Sequence, residues 1–159
     1  VGVMGGFSGN VQNEIVLASS VAVTNPLDAN ENILATINIP PLGANSSIIV
    51  DYLETKTGIQ SNLVRVRLGG IAGTKYREHV QTTGLSINDT LIISNRNNTS
   101  LQVGGSESVA FGQTTTAIVT GAIDTSVATT LVITAQQSPA SVIASEVVKL
   151  ERYRVKITY

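Results

Sequence analysis

His79 is the single histidine of the chain and follows Glu78 directly. A transition-metal site would need further imidazole or thiolate ligands, and the chain has neither a second histidine nor a cysteine. His79 therefore reads as a structural or surface residue. A serine nucleophile would have to use His79 as its base with a carboxylate behind it, yet no serine sits in a Gly-x-Ser-x-Gly elbow. Asp51, Glu54, Glu78 and Asp89 could supply a general acid and base of the glycosidase kind, but any sheet offers such pairs and their types alone set no separation between them. Gly69-Gly70 is followed neither by Lys-Ser/Thr nor by a helix, so it does not read as a phosphate cradle. Asp28, Asp51, Asp89 and Asp124 are scattered, unlike a calcium loop. The expectation is a protein that is not an enzyme, with no catalytic residue, metal or cofactor.

The elements that would position these side chains are strands. Of 159 residues 42% are hydrophobic but only 4% are aromatic, so the apolar content is β-branched and aliphatic. Short runs recur between turn signals: Ile15–Val23, Ile33–Ile39, Ser47–Thr55, Leu63–Leu68, Lys75–Thr82, Thr90–Ser94, Leu101–Val103, Thr115–Gly121, Thr129–Gln136 and Val147–Thr158. Asn25-Pro26, Pro40-Pro41-Leu42-Gly43, Gly69-Gly70, Gly84, Asn95 to Asn98, Gly104-Gly105 and Ser138-Pro139 fall between them. Helical periodicity is missing apart from one short turn that residues 139–146 could make. The expected fold is all-β: an antiparallel, jelly-roll-like β-sandwich over residues 14–159, preceded by an extended, glycine-rich N-terminal arm at residues 1–13.

Alternation assigns faces in two strands. In Leu63–Leu68, Val64, Val66 and Leu68 point one way and Arg65 and Arg67 the other. The arginines then meet solvent, a subunit interface, or acids on the neighbouring strand, the last being routine on sheet faces. In the terminal strand Tyr153, Val155, Ile157 and Tyr159 share one face, with Arg152, Arg154, Lys156 and Thr158 opposite.

Charge excludes several partners. The net charge is −1 and no basic stripe is interleaved with aromatics, so nucleic acid is not an expected partner. No membrane partner is expected either: no apolar run approaches the ~20 residues of a bilayer span, and the start lacks the basic flank of a signal peptide. Val1 reads either as a mature N-terminus or as the start of a fragment. Residues 1–55 carry five acids and no base, whereas 56–159 carry ten bases and six acids; an acidic N-terminal part docking on a basic neighbour is one reading, and strands that merely differ in charge the plainer one. Low ionic content, 13% Asp, Glu, Lys and Arg, suits either a surface partly covered by other subunits or a merely polar monomer.

Four segments together resemble a β-sandwich module of tailed-phage structural proteins. They are Leu34–Asn45 with its Ile-Pro and Leu-Gly turn, Leu63–Gly70 of the Arg-Val-Arg-Leu-Gly-Gly kind, Ile93–Ser100 with its Asn-Arg-Asn turn, and Ala122–Gln136 taken with Val148–Val155. The resemblance implies a non-enzymatic virion component, often trimeric, that is either a capsid decoration (cement) protein or the tip domain of a fibre. The expectation is decoration: an oligomer, expected to be a trimer, bound to the major capsid protein on the outer surface of the head. If Val1 is the mature start, the length favours decoration over a fibre, which needs a shaft. Expected contacts to capsid or sister subunits are Val1, Val3, Met4 and Phe7 in the arm and Arg65, Arg67, Arg152 and Arg154 on the strands. The alternative is the tip module of a tail or head fibre binding a host receptor or glycan through loops such as Asn95–Ser100 and Gln136–Ser141, although few aromatics are present to stack on a sugar.

Overall fold

The computed structural model describes residues 14–19, 23–24, 29–105, 116–137 and 147–159. Eleven strands lie among them: β1 (Glu14–Ser19), β2 (Val23–Thr24), β3 (Asn32–Ile39), β4 (Ser47–Lys56), β5 (Asn62–Leu68), β6 (Thr74–Gln81), β7 (Ser86–Asn95), β8 (Gln102–Gly104), β9 (Thr120–Gly121), β10 (Thr129–Gln137) and β11 (Val148–Thr158). One sheet runs β1-β11-β4-β7-β8-β9, with β2 also on β11; the other runs β3-β10-β5-β6. Every pairing is antiparallel. The sets β1-β11-β4-β7 and β3-β10-β5-β6 have the strand order of a jelly roll, in which β5 and β6 are consecutive within one sheet; β8 and β9 extend the first sheet beyond β7.

The expected alternation is what closes the sandwich. Val64, Val66 and Leu68 of β5 are fully buried and pair with Ala135, Ile133 and Leu131 of β10, which are buried as well. Ile48 and Val50 of β4, Leu91 and Ile93 of β7, and Val155 and Ile157 of β11 complete the same core from the first sheet. Truncating such a residue to alanine costs about 2–5 kcal/mol through lost burial and the cavity left behind.

Departures from strict alternation are bulges. The β11–β4 register shifts between Leu150 and Arg152, so Glu151 is the extra residue and the pleat changes phase there. Val148 and Leu150 point inward before it, Val155 and Ile157 after it, and Arg152 and Arg154 are left exposed. The run expected as one strand over Ile15–Val23 instead supplies two pieces, β1 and β2, which pair with opposite halves of β11. Strand β7 begins at Ser86, earlier than the apolar run indicated, because the polar stretch Ser86–Asp89 pairs with residues 52–55 of β4. The arm and the turn at 139–146 lie outside the described residues.

Tyr76 sets the spacing at the β8–β9 side. Its ring is fully buried and occupies the room left by two glycines: a Cβ on Gly104 would come within 2.7 Å of Tyr76 Cδ1, and one on Gly121 would overlap Tyr76 Oη. Among the described residues the Tyr76 hydroxyl has no hydrogen-bond partner, so it is held there by shape and not by polarity. Gly121→Ala is expected to lower the unfolding free energy by about 2–4 kcal/mol, while Tyr76→Phe, which removes an unsatisfied buried oxygen, is neutral or stabilising. Urea titration of the two single variants and the double variant checks this: the phenylalanine should recover part of the loss.

Candidate functional site

The residues with reactive side chains converge, but between the sheets. On β4 the inward phase of Ile48 and Val50 continues through Tyr52, Glu54 and Lys56. Strand β6 contributes the buried Arg77, His79 and Gln81 from the other sheet, and Asp89 of β7 completes the group. A single oxygen, Asp89 Oδ2, accepts from Tyr52 Oη at 3.2 Å, lies 3.1 Å from His79 Nε2, and forms an ion pair with Arg77 Nε at 2.8 Å. An ionised carboxylate can only accept, so His79 carries a hydrogen on Nε2. Burial pushes the Asp89 carboxyl up, but the His79 hydrogen bond and the Arg77 and His79 charges outweigh it and leave Asp89 below its usual range. Burial, then the Asp89 and Glu54 charges, raise the Tyr52 hydroxyl well above its ordinary value.

Glu54 is the unusual member. It is fully buried, it lies opposite Leu150 and Ile87 in the sheet, and among the described residues neither carboxyl oxygen has a hydrogen-bond partner. Burial first, and the Asp89 charge second, push it up to about 8, so it holds its proton at pH 7. Two carboxyls with divided affinities are the arrangement a general acid and base require. Here, however, Glu54 has no exposed surface, and the Asp89 and His79 side chains are each 9% exposed. Lys56, next along the same face, places its ammonium on three carbonyls, Gln60 at 2.6 Å, Gln81 at 3.1 Å and Thr82 at 2.5 Å, and so ties the β4–β5 turn to the β6–β7 turn. Among the described residues no group of three His, Cys, Asp or Glu side chains is placed to hold a metal ion.

The arginines singled out in the sequence divide by sheet. Arg65 and Arg67 lie on the outer face of the second sheet and are paired there. Arg65 Nε meets Glu78, its cross-strand neighbour, at 2.5 Å, and its Nη1 reaches Gln136 at 2.8 Å and Glu31 at 3.2 Å. Arg67 grips both Glu31 oxygens, at 2.8 and 3.0 Å. Burial acts to raise both acids, and these bonds outweigh it, holding Glu31 and Glu78 below the usual carboxylate range. Arg65 with Glu78 is the cross-strand pairing expected from the sequence, whereas Glu31, just before β3, reaches the arginines from beyond the intervening β10. Arg152 and Arg154 are exposed on the outer face of the first sheet, Arg152 bonding Asn88 Oδ1 at 2.9 Å. Val1, Val3, Met4 and Phe7 lie outside the described residues.

A second polar group, which sequence reasoning missed, locks one end of the sandwich. Asn95, at the end of β7, donates from Nδ2 to Gly43 O at 2.7 Å and Thr125 Oγ1 at 2.9 Å. Gln102 Nε2 donates to Thr99 O and Ile123 O at 2.9 and 2.8 Å, and its Oε1 accepts from Ile123 N. Thr125 donates to Thr99 O through both N and Oγ1. These three side chains are almost wholly buried and fasten the turns after β3, β7 and β9 to one another. Outward, the clamped turns display Asn45, Arg96, Asn97, Asn98 and Asp124, with Asn97 in the left-handed region at φ 51°. The expected contact loop Asn95–Ser100 is therefore pre-set; residues 138–141 of the other expected loop lie outside the described residues.

No family model matches the chain, and no curated protein does either. Solved structures similar to it include a Bacillus endospore appendage pilus protein at 13% identity, covering 99% of this chain and 98% of that one with a TM-score of 0.47. Others are the sugar-binding EclA C-terminal domain, at 11% identity, 96% and 89% coverage and a TM-score of 0.46, and the VP2 subviral particle of infectious bursal disease virus, at 13%, 99% and 37% coverage and 0.42. With TM-scores below one half, these likenesses carry no argument about function.

The two polar groups respond to different measurements. Glu54 binds its proton more tightly folded than unfolded, so its stabilising contribution is complete below about pH 4.5 and is lost as pH rises through about 8. Unfolding free energy is expected to fall by a few kcal/mol across that window in the wild type and by much less in Glu54→Gln, as followed by urea denaturation at stepped pH. Asn95→Ala should cost about 2–3 kcal/mol by stranding buried partners, whereas Asn98→Ala at the exposed tip should cost less than about 0.5 kcal/mol; thermal melts compare them.

Proposed function

We propose that this chain is a non-enzymatic virion component, a capsid decoration protein that binds the outer shell of a phage head as an oligomer and braces its subunits against one another. The observation that supports a binding role over a catalytic one is the burial of Glu54, Asp89 and His79 between the sheets, which leaves a substrate no carboxyl of that group to reach. Left outward is the long face of the first sheet, where Val16 and Ile92 are 49% and 52% exposed beside Arg152 and Arg154. Such a face acts by area and suits contact between sister subunits of the oligomer, and modest contacts of the bound oligomer repeated over a shell add up through multivalency. The phage-module resemblance of the four sequence segments supplies the shell as the partner, and the glycine-rich composition of residues 1–13 suggests them as the grip.

A second reading is favoured by the clamp at Asn95, Gln102 and Thr125. Fixing three turns before contact removes the ordering cost of binding, and the displayed Arg96, Asn97, Asn98 and Asp124 offer donors and acceptors suited to sugar hydroxyls on a host surface.

Co-sedimentation of the labelled protein with phage heads lacking it, and separately with host cells, decides between them. Saturable binding to heads, abolished by deleting residues 1–13, is the expected outcome. Binding to cells alone, lost in Arg96→Ala or Asn98→Ala, would replace the decoration reading with the receptor one.

A further inference from the structure

The outer face of the first sheet is arranged in rows that the strand register fixes. One row crosses four strands as Val16, Lys156, Ile49 and Ile92. The next contains Arg154 on β11 beside Asp51 on β4 and Thr90 on β7. Val16, Ile92 and Arg154 are exposed. Although Arg154 and Asp51 are cross-strand neighbours, Asp51 takes its hydrogen bond from Thr90 Oγ1 at 2.8 Å, and among the described residues Arg154 forms no ion pair.

We infer that this face is a homodimer interface whose occupant is a second copy of the chain, related by a two-fold axis that lies just above the sheet, parallel to the strands, over the line between β11 and β4. That operation keeps each row at its height and exchanges left for right. It lays β11 over the partner's β4 and β1 over the partner's β7. Arg154 then faces the partner subunit's Asp51, and the reverse, so two ion pairs form beside the axis. Val16 lies on the partner subunit's Ile92, again twice. Lys156 covers the partner subunit's Ile49 with its aliphatic stem and carries its ammonium on toward the rim. Opposite charge meets opposite charge and apolar meets apolar because the two members of each pair sit at equal distances on either side of the axis, the self-complementarity a two-fold contact requires.

Size agrees. Strands spaced about 4.8 Å apart with a rise of about 3.4 Å per residue give β1, β11, β4 and β7 a face on the order of 19 Å by 30 Å. Rolled over its side chains, such a face approaches the ~800 Å² per partner of a standard interface. The sheet twist sets packed sheets about 30° apart, which displaces the outer pairs more than the ion pairs next to the axis. The resemblance to phage modules led to an expected trimer; this face suits two-fold pairing, and the inference does not depend on the shell being the partner.

The test uses the purified chain, residues 1–159, without heads or cells, so its result is independent of the decoration reading. Sedimentation equilibrium should give a dimer. Arg154→Asp and Asp51→Arg should each weaken it at least about tenfold by placing like charges face to face, and the double exchange R154D/D51R should restore it. Because the two residues also lie side by side within one chain, the circular dichroism and thermal melt of each single variant should match the wild-type monomer, which a folding defect would not allow. Ile92→Glu, at an exposed position of the outer row, should weaken the dimer while leaving the circular dichroism of the monomer unchanged. A monomer at every concentration, an oligomer indifferent to both single charge reversals, or a double exchange no tighter than the single reversals would overturn the inference.

Discussion

A carboxylate between two sheets has to be answered by donors, and Asp89 is answered from both sides. Tyr52 reaches it within its own sheet and Arg77 and His79 reach it from the other, so one oxygen joins β4, β6 and β7 where the apolar core thins out. Among the described residues β6 is an edge strand, with a neighbour in its own sheet on one side, β5. It buries Arg77, His79 and Gln81, and without a charge to gather the cationic and imidazole groups the two sheets would meet there across unpaired polar atoms. The neutral Glu54 follows first from its burial and then from the same arrangement, because Asp89 already carries a negative charge nearby.

The far end is fastened by neutral amides. Asn95 and Gln102 stand in for backbone, supplying donors and an acceptor to turns that have no strand partner of their own. The sandwich is thus closed by charge at one end of β7 and by side-chain amides at the other, with the aliphatic layer of Leu91 and Ile93 between. Lys56 performs a related task for the turns beyond β4 and β6 by gathering three carbonyls on one ammonium.

Period-two patterning made the fold legible: the faces of Leu63–Leu68 and of Arg152–Thr158 are as the alternation indicated, and so are most strand bounds. The same rule, carried past Tyr52, would have placed Glu54 and Lys56 inside. Weighing Glu54 by its chemistry alone hid that position, and phase was the better guide, because a one-residue slip would have turned Ile48 and Val50 outward. Pairings such as Arg67 with Glu31, or Asn95 with Thr125, join residues that are 36 and 30 positions apart in the chain. They depend on which strands lie side by side, and strand order is not written in local composition. Glu151 gives no sign of a bulge in its own type or in its neighbours.

That bulge makes β11 a strand of two parities. Ahead of it even-numbered residues belong to the interior, and beyond it odd-numbered ones do. The two halves differ in phase by the one residue that the bulge takes up, so a chain lacking Glu151 would alternate without a break, with Val148, Leu150, Tyr153, Val155 and Ile157 all on the inner side. Loss of a residue elsewhere in the strand, at Lys149 or Lys156, would instead leave two inward side chains adjacent and turn one of them out. The bulge is therefore a slack point: the stretch between Leu150 and Val155 is where this strand's length can change by one over the course of descent while both ends keep their partners.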